Sequence, residues 1–424
     1  MTSTAATLAW RPDTGRDTDP VWGEGTNLRR QENLNCLYSV THDSRLVPLI
    51  SAVAKANLDP QRYYGPPLHP AHNHGLMANL ALLNASVLLA RSDWRAAALG
   101  RMRTALDASF SPAGLSIEQS SAYHQSVLAK WVAASRLLRD IGGADTTDLK
   151  AAVDAVILRA SRALDFLLMP DGIPVPFGDQ VGLRRVPTPT ARHLLVDPVA
   201  GVLAGRWSWA APDDFVAARF GGPRQMHGHE DRMSVVWWAT GRPVLADPGT
   251  STYVAGPARD WVVGPLSHNV PTVPGHAFVP KAPITISSVQ ASRLYAFTLS
   301  GRPWDVAQSR RVVVDPSADR LTLTDTATAR VSPVLQLDHR WAARTIDSAH
   351  RVATFVDGTG AVLTIRTTGR ISSIKRGQAG LAGGWTFSYP PERRAAAARI
   401  VITGGTSVVT TLQVKGAGLT PWVS

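Results

Sequence analysis

The hydrophobic period of this chain changes once, near Arg206, and that change most limits what it can fold into. Before it, apolar residues recur at three- and four-residue spacing, with Leu34, Leu37, Leu46, Leu49, Ile50 and Val53 setting the pattern, as helices with one buried face require. Leu76–Leu89 and Trp94–Leu106 are rich in Ala and Leu, and Val127–Ile141 and Leu149–Leu168 repeat the theme. This predicts about six helices joined by short Gly, Pro and Asp loops. After Arg206 the runs shorten and alternate. Ser234–Thr240, Leu294–Leu299, Ser309–Val314, Arg320–Thr324 and Val334–Leu337 read as strands, followed by Val352–Val356, Ala361–Arg366, Gly384–Ser388, Ala398–Thr403 and Ser407–Val414. Many short strands with turn residues between them suggest a sandwich of two antiparallel sheets. A length of 424 residues also exceeds what one core usually supports. The expected fold is α+β and multidomain: residues 1–22 an extended polar lead-in, residues 23–205 a helical domain, and residues 206–424 an antiparallel β-sandwich.

Hydrophobic content of 44% with 18% charged residues is that of a globular protein, not a disordered one. Lys and Arg outnumber Asp and Glu by 44 to 32, and only six of the basic residues are lysines. A formal charge of +12 steers anionic partners toward the chain, and arginine grips planar carboxylates with two parallel bonds. No basic cluster interleaved with aromatics appears, so no nucleic-acid partner is expected. The single cysteine, Cys36, excludes an internal disulfide and a cysteine-based zinc finger; it is expected to pack as a small apolar residue on a helix. The N-terminus has no basic start and no long apolar run, so no signal peptide is expected and the chain as it stands reads as cytoplasmic unless its N-terminus is truncated. No run of 18 apolar residues exists, so no membrane span is expected. A homo-oligomer is compatible with the sequence.

Chemistry concentrates in three motifs of the second half: Met226-His-Gly-His-Glu-Asp231, Ala246-Asp-Pro-Gly249 and Ser267-His-Asn269. On a strand, His-x-His sends both imidazoles to one face, because side chains alternate with period two. One ring can then hold a metal while its neighbour faces a substrate. His229, Asp247 and His268 are the usual nitrogen and oxygen ligands of zinc, and the segments between them are each long enough for one or two strands. Glu230 either adds a ligand or faces solvent. The plainer alternative is a set of surface histidines on a β-domain.

The helical half carries two polar islands. His72-Asn73-His74-Gly75 stands at the start of an Ala/Leu helix, where free N–H groups and the positive dipole end suit an anion. Asn73 is equally well placed to be a simple N-cap, and His74 alone would be a structural histidine. The second island, Ser116-Ile-Glu-Gln-Ser-Ser-Ala-Tyr-His124, opens the next long helix. Tyr123 and His124 lie one turn from Gln119 and Ser120, which makes a polar face there; a tyrosine in a helix is otherwise core or surface filler.

Taken together, Asn73-His74-Gly75, Glu118-Gln-Ser-Ser-Ala-Tyr-His124, His227-Gly-His-Glu-Asp231, Gly241-Arg-Pro-Val-Leu-Ala-Asp-Pro-Gly249 and His268-Asn269 resemble the heparinase II/III-like polysaccharide lyases over most of the chain. The resemblance implies an α/α toroid, often incomplete, packed on an antiparallel β-sandwich, with the active site in the cleft between them; the helical part here is short for a full toroid. It implies a carbon–oxygen lyase that cleaves a uronic-acid-containing anionic polysaccharide or oligosaccharide by β-elimination, leaving a 4,5-unsaturated uronate end. Asn73 and His74 would then supply donors to the uronate carboxylate, without which the C5 proton is poorly acidic. Tyr123 would be the acid, and in its ionised form a base. A free tyrosine has a pKa of about 10, so the second role needs nearby positive charge. His227 would be the other base or acid. His229, Asp247 and His268 would hold one structural zinc ion that orders the loops. Glu118, Gln119 and His124 are candidate substrate contacts, as are Tyr253 and Arg259 after the Asp-Pro-Gly turn, with loop packing as the alternative for the last two. Three other readings compete: a toroidal glycoside hydrolase using Glu118 and Asp179 as its carboxylate pair, a zinc hydrolase with Glu230 as base, and a non-catalytic glycan-binding protein.

Overall fold

The computed structural model describes residues 24–209, 214–349, 351–388 and 391–416. The expected lead-in, residues 1–22, lies outside them. The chain divides into two compact units, residues 1–110 with 126–160 and residues 111–125 with 161–424.

The first unit is helical among its described residues. Helices α1 (Glu24–Thr41), α2 (Val47–Leu58), α3 (Asn73–Leu88) and α4 (Ser92–Ser109) belong to it, as does most of α5 (Ser121–Ile141) and of α6 (Ala144–Leu167). The three- and four-residue spacing does what it predicts: Trp94, Ala98, Leu99, Met102, Ala105 and Leu106 form the buried stripe of α4. Buried amides tie helix to helix. Asn27 Nδ2 donates to Asn57 Oδ1 at 2.8 Å, and Asn35 Nδ2 to the Ala81 carbonyl at 2.8 Å. Arg101 donates to the carbonyls of Asn57 and Leu58 at 2.7 and 2.8 Å, satisfying the open end of α2. Cys36 is exposed on α1, not packed as expected. The apolar stripe of α1 runs through Leu28 and Leu34, and position 36 falls off it. No helix among the described residues is long and apolar enough to cross a membrane.

The second unit is antiparallel β. Its first sheet runs in order β1 (Leu194–Asp197), β2 (Val202–Arg206), β3 (Phe215–Arg219), β4 (Val235–Ala239), β5 (Arg242–Leu245). The largest orders β12 (Ala342–Asp347), β13 (Val352–Val356), β14 (Val362–Thr367), β19 (Ser407–Lys415), β10 (Arg320–Ala327), β9 (Gln308–Asp315), β8 (Tyr295–Gly301) and β7 (Ile284–Ala291). A third joins β15 (Arg370–Lys375), β18 (Arg399–Thr403), β11 (Ser332–Gln336) and β6 (Pro271–Thr272), and β16 (Trp385–Ser388) pairs with β17 (Arg393–Ala396). Inward residues of the three larger sheets share one core, with Trp237 from the first, Phe297, Leu323, Phe355 and Leu412 from the second, and Leu335, Ile371 and Ile400 from the third. This is the expected sandwich. Its strands begin at Leu194, inside the stretch read as helical. β12 escaped the sequence because its six residues are all exposed and so carry no apolar alternation.

Candidate active site

Three chain segments of the second unit are laced together before any functional side chain is placed. Ser120 caps α5: its Oγ accepts from the Tyr123 amide at 3.2 Å and donates to the Asp179 carbonyl at 2.7 Å. Gln119, with φ at 57°, uses its side-chain amide on the loop below, accepting from the Gln225 N–H at 2.8 Å and donating to the Pro223 carbonyl at 3.1 Å. The His227 N–H donates to the Glu118 carbonyl at 3.2 Å, and the His227 carbonyl accepts from the Asp179 N–H at 2.8 Å. Gly228 is required by close approach, since a Cβ there would stand 2.6 Å from Gln119 Oε1. Gly178, at φ 71°, passes under the carbonyls of His227 and Gln119. The far end of the motif is held by Asp231, fully buried, whose Oδ1 lies 3.2 Å from Arg219 Nε.

The His-Gly-His segment is therefore a turn and irregular structure, not the strand that alternation suggested. Its hydrogen bonds go to the Glu118–Gln119 loop and to Asp179 instead of to a ladder partner. Both imidazoles nonetheless converge, because one carboxylate receives them: His227 Nδ1 lies 3.2 Å from Asp179 Oδ2 and His229 Nε2 lies 3.0 Å from Asp179 Oδ1. Arg259, on α7 (Pro257–Val263), grips the same carboxylate, with Nη2 2.9 Å from Oδ2 and Nη1 on Oδ1. The Tyr123 and His227 rings are stacked, with centroids 3.4 Å apart and planes 9° from parallel. Tyr253 donates its hydroxyl to the Tyr123 hydroxyl at 3.1 Å and lies under the Arg259 guanidinium at 5.2 Å. Glu118 Oε2 is 3.6 Å from His227 Nε2. Tyr253 is 39% exposed, so this cluster is reachable from solvent.

Of the residues singled out in the sequence, Glu118, Tyr123, His227, Tyr253 and Arg259 thus come together. Asp179, weighed there only as half of a hydrolase pair, stands at their centre. Gln119 and His124 serve the scaffold: Gln119 pins the 223–228 loop, and His124, 1% exposed, accepts from the Ser116 N–H through Nδ1 at 3.0 Å. Glu230 turns to Arg232, at 2.5 Å.

The electrostatics separate the two tyrosines. Burial raises the Tyr123 hydroxyl above its ordinary range, and the charges of Asp179 and Glu118 add to this; the bond from Tyr253 and the charge of Arg259 pull the other way. Burial also pushes Tyr253 up, further than Tyr123, because Tyr253 gives away its hydrogen in the bond between them. Tyr123 is the more acidic of the pair, and since it accepts from Tyr253, its own hydrogen is directed elsewhere. Burial alone would raise Asp179, yet the bonds from His227, His229 and Arg259 hold it well below the usual carboxylate range. It stays an anion.

The expected metal ligands stand as two carboxylate–imidazole pairs. His268 Nδ1 lies 2.9 Å from Asp247 Oδ2, whose other oxygen accepts from the Gly249 N–H at 3.0 Å. The His229 and His268 rings are 5.5 Å apart, centroid to centroid. Among the described residues no three His, Cys, Asp or Glu side chains group as a ready metal cage. Two buried nitrogens, His229 Nδ1 and His268 Nε2, have no hydrogen-bond partner there, and a buried nitrogen without a partner is costly. Both are ordinary zinc donors, so the residue types fit the ion. The segment between Asp247 and His268 holds α7 and a short 3-10 turn in place of the expected strands. Asn269 is structural: its side chain donates to the carbonyls of Val235 and Ala246 at 3.0 and 2.9 Å and accepts from the Gln336 N–H at 2.6 Å.

In the first unit, Asn73 is buried as the first residue of α3. The cap is His72, not Asn73: its Nδ1 accepts from the His74 N–H at 3.1 Å. The His72 and His74 rings meet edge to face at 4.6 Å.

Residues 204–281 match the family model described as Heparinase II/III-like, C-terminal. That span contains His227, His229, Asp247, Tyr253, Arg259 and His268. Among solved structures, the chain is similar to a heparinase III at TM-score 0.77 and 14% identity, over 97% of this chain and 72% of that one. It is also similar to the heparan sulfate lyase HepC from Pedobacter heparinus at TM-score 0.70 and 15% identity, over 95% and 70%. The structure titled Heparinase III-BT4657 gene product follows at TM-score 0.71 and 12% identity, over 93% and 68%. No curated protein sequence matches the chain. At these identities the structures establish the fold: helices, then antiparallel sheets. Residues 204–281 thus match the Heparinase II/III-like C-terminal model, within a fold similar to that of heparinase III.

Proposed function

We propose that the protein is a polysaccharide lyase acting on a uronic-acid-containing anionic glycan by β-elimination. The observation that carries this is the Tyr123–His227 stack with the Tyr253 hydroxyl on the Tyr123 hydroxyl. Two proton carriers on stacked rings suit a reaction that removes one proton and delivers another on the same sugar. In the proposed reaction His227 takes the proton from C5. Its electron pair forms the C4–C5 double bond, the C4–O4 bond breaks, and Tyr123 gives its proton to O4. Arg259, its charge shared with Asp179, is proposed to stabilise the carboxylate as negative charge builds at C5. The lyases among the similar structures, and the excess of arginine, support an anionic polymer as the substrate. The test is a panel of uronate polymers followed at 235 nm, where a 4,5-unsaturated product absorbs. No absorbance change with any of them would remove the reading.

The raised Tyr123 separates its two conceivable roles by pH. As a protonated acid it keeps its proton through the ordinary tyrosine range, so turnover should show no loss assignable to it between about pH 8 and 10. As an ionised base its active form would grow with pH, and turnover would climb about tenfold per unit over that span. A kcat–pH profile distinguishes the two, and a climbing limb would transfer the base role to Tyr123.

Zinc, one ion per chain, is proposed to be held by His229, Asp247 and His268, where it would brace the loops that carry His227 and Arg259. Elemental analysis of dialysed protein should find about one zinc per chain, and His229→Ala should lose it together with thermal stability. Metal-free wild-type protein, or a His229→Ala variant with unchanged metal content, would count against this site.

A further inference from the structure

We infer that a cavity of about 240 Å3 in the second unit, outside the Tyr123–His227 cluster, is a subsite for one acidic sugar unit of the glycan. Its walls are two short loops and the end of a strand. Residues 169–173 form the tip of a hairpin closed by the Leu168–Pro174 bridge. Within it the Met169 N–H donates to the Ile173 carbonyl at 2.9 Å and the Gly172 N–H to the Met169 carbonyl at 2.8 Å. Residues 184–187 run alongside, tied by the Arg185 N–H to the Gly172 carbonyl at 2.8 Å. Arg206 ends β2, and Trp209 follows it. These backbone bonds build the cavity before any ligand arrives, so binding has little left to order.

The lining chooses the ligand. Arg184, Arg185 and Arg206 share the cavity with one carboxylate, Asp171. Even with Asp165 counted, whose Oδ1 lies 3.4 Å from Arg185 Nε, guanidiniums outnumber carboxylates by three to two. The excess favours an anion. Asp171 argues against a bare one, because a like charge in the wall repels it. A uronate unit suits both: its carboxylate matches a guanidinium fork, and its hydroxyls donate to a carboxylate. Trp209 gives the cavity a rigid apolar face. It meets Phe166 edge to face at 5.2 Å, and the Arg206 guanidinium lies over it at 4.4 Å. Its Nε1–H is buried and has no hydrogen-bond partner among the described residues, a donor that a sugar oxygen can satisfy. Sites for drug-sized ligands run to about 300–1,000 Å3, so this one holds a single ring and not a stretch of chain.

Its place fits a polymer. Arg184 follows Asp179 by five residues, so their Cα atoms are at most about 18 Å apart. The stretch between them is held against α5. Gln125, two residues beyond Tyr123, donates from Nε2 to the Leu183 carbonyl at 2.8 Å and accepts from the Leu183 N–H at 2.7 Å. Arg184 and Val186 are exposed, so the cavity is open on their side. A glycan with its reacting unit at Tyr123 and His227 has the cavity within reach a few units away. This last step rests on the lyase reading; occupancy by an acidic sugar does not.

The test is a titration of the intact protein with sodium glucuronate, followed by nitrogen-15 NMR of the tryptophan indoles. The Trp209 signal, identified by Trp209→Phe, should shift and saturate. Glucose and sodium sulfate should need concentrations at least about tenfold higher. Arg184→Gln, a change on an exposed side chain, should raise the glucuronate midpoint about three- to tenfold. A Trp209 signal that does not respond, a midpoint for glucose or sulfate equal to that for glucuronate, or an unchanged midpoint in Arg184→Gln each overturns the site. If Trp209→Phe does not fold, the indole whose response Arg184→Gln weakens takes its place, and the lack of any such indole overturns the proposal. The link to the polymer is read separately. Arg184→Gln should raise KM about three- to tenfold on a long polymer and less on the shortest oligosaccharide cleaved; the same KM ratio on both breaks the link. If the wild type cleaves no uronate polymer, the lyase reading fails, and the titration still decides whether the cavity takes an acidic sugar.

Discussion

Tyr123→Phe is expected to slow product formation by a factor of about 100 to 10,000 without unfolding the protein, since it removes one proton carrier and little else. The phenyl ring can keep its stack on His227, and the residue's amide remains capped by Ser120 Oγ. What disappears is the hydroxyl that accepts from Tyr253 and whose own hydrogen is proposed to reach O4. His227→Ala should produce a loss of the same size by removing the partner carrier, and it also removes one side of the ring stack, so its folding must be checked by circular dichroism. The readout is the rate at 235 nm of each folded variant on a polymer the wild type accepts. If Tyr123→Phe keeps the wild-type rate, the assigned elimination chemistry is wrong, and a hydrolase or a glycan-binding protein becomes the better description.

The geometry already weakens the hydrolase. That mechanism needs two carboxyl groups flanking a glycosidic bond, with room for sugar or water between them. Glu118 and Asp179 instead address the two nitrogens of one imidazole, at 3.6 and 3.2 Å. The His227 ring fills the space between them. Asp179 is further committed to His229 and Arg259, and its suppressed protonation makes it a poor general acid. A lyase needs neither carboxylate to touch the sugar.

The period change near Arg206 was enough to read the order of the fold, because one-sided burial writes itself into spacing for a helix such as α4 and into alternation for a strand such as β10. It failed where burial is not one-sided. β12 is exposed on both faces, and β1 lies in a short run ahead of the change. The site was legible as residue types: Tyr123, His227, Tyr253 and Arg259 were all named, and they do meet. The reason given for the histidines was not the one at work. His227 and His229 share a target through Asp179, not through the pleat of a strand. Asp179 itself carried no local mark, since its role is made by Ser120, His227, His229 and Arg259. Contacts of that range leave no periodicity in a single sequence. The same holds for His72, which took the cap that Asn73 was suited to, and for Gln119 and His124, whose polar groups bind backbone instead of facing outward.

The largest loss of stability is expected from a residue far from the chemistry, Arg310 on β9. Its guanidinium is fully buried and makes a forked pair with Asp325 on β10, Nε to Oδ1 at 2.6 Å and Nη2 to Oδ2 at 2.9 Å. Its remaining nitrogen, Nη1, donates to the Met233 carbonyl at 3.0 Å and to the Asn269 carbonyl. Arg310→Met would leave the Asp325 carboxylate buried and unpaired, at a cost of about 3–5 kcal/mol, or roughly 6–20 °C in Tm for a unit of this size. The double variant Arg310→Met, Asp325→Leu removes the stranded charge, so it should recover part of the loss. It should not recover all, because two buried carbonyls still lose their donor. One of them belongs to Asn269, which follows His268 and clamps Val235, Ala246 and Gln336. Loosening it should therefore also weaken whatever His268 holds. Thermal and urea unfolding of the three proteins, with metal content measured alongside, tests this chain of dependence. A single variant that loses less than about 1 kcal/mol would mean that Asp325 finds another partner or water, and that Arg310 braces neither the sandwich nor the His268 loop.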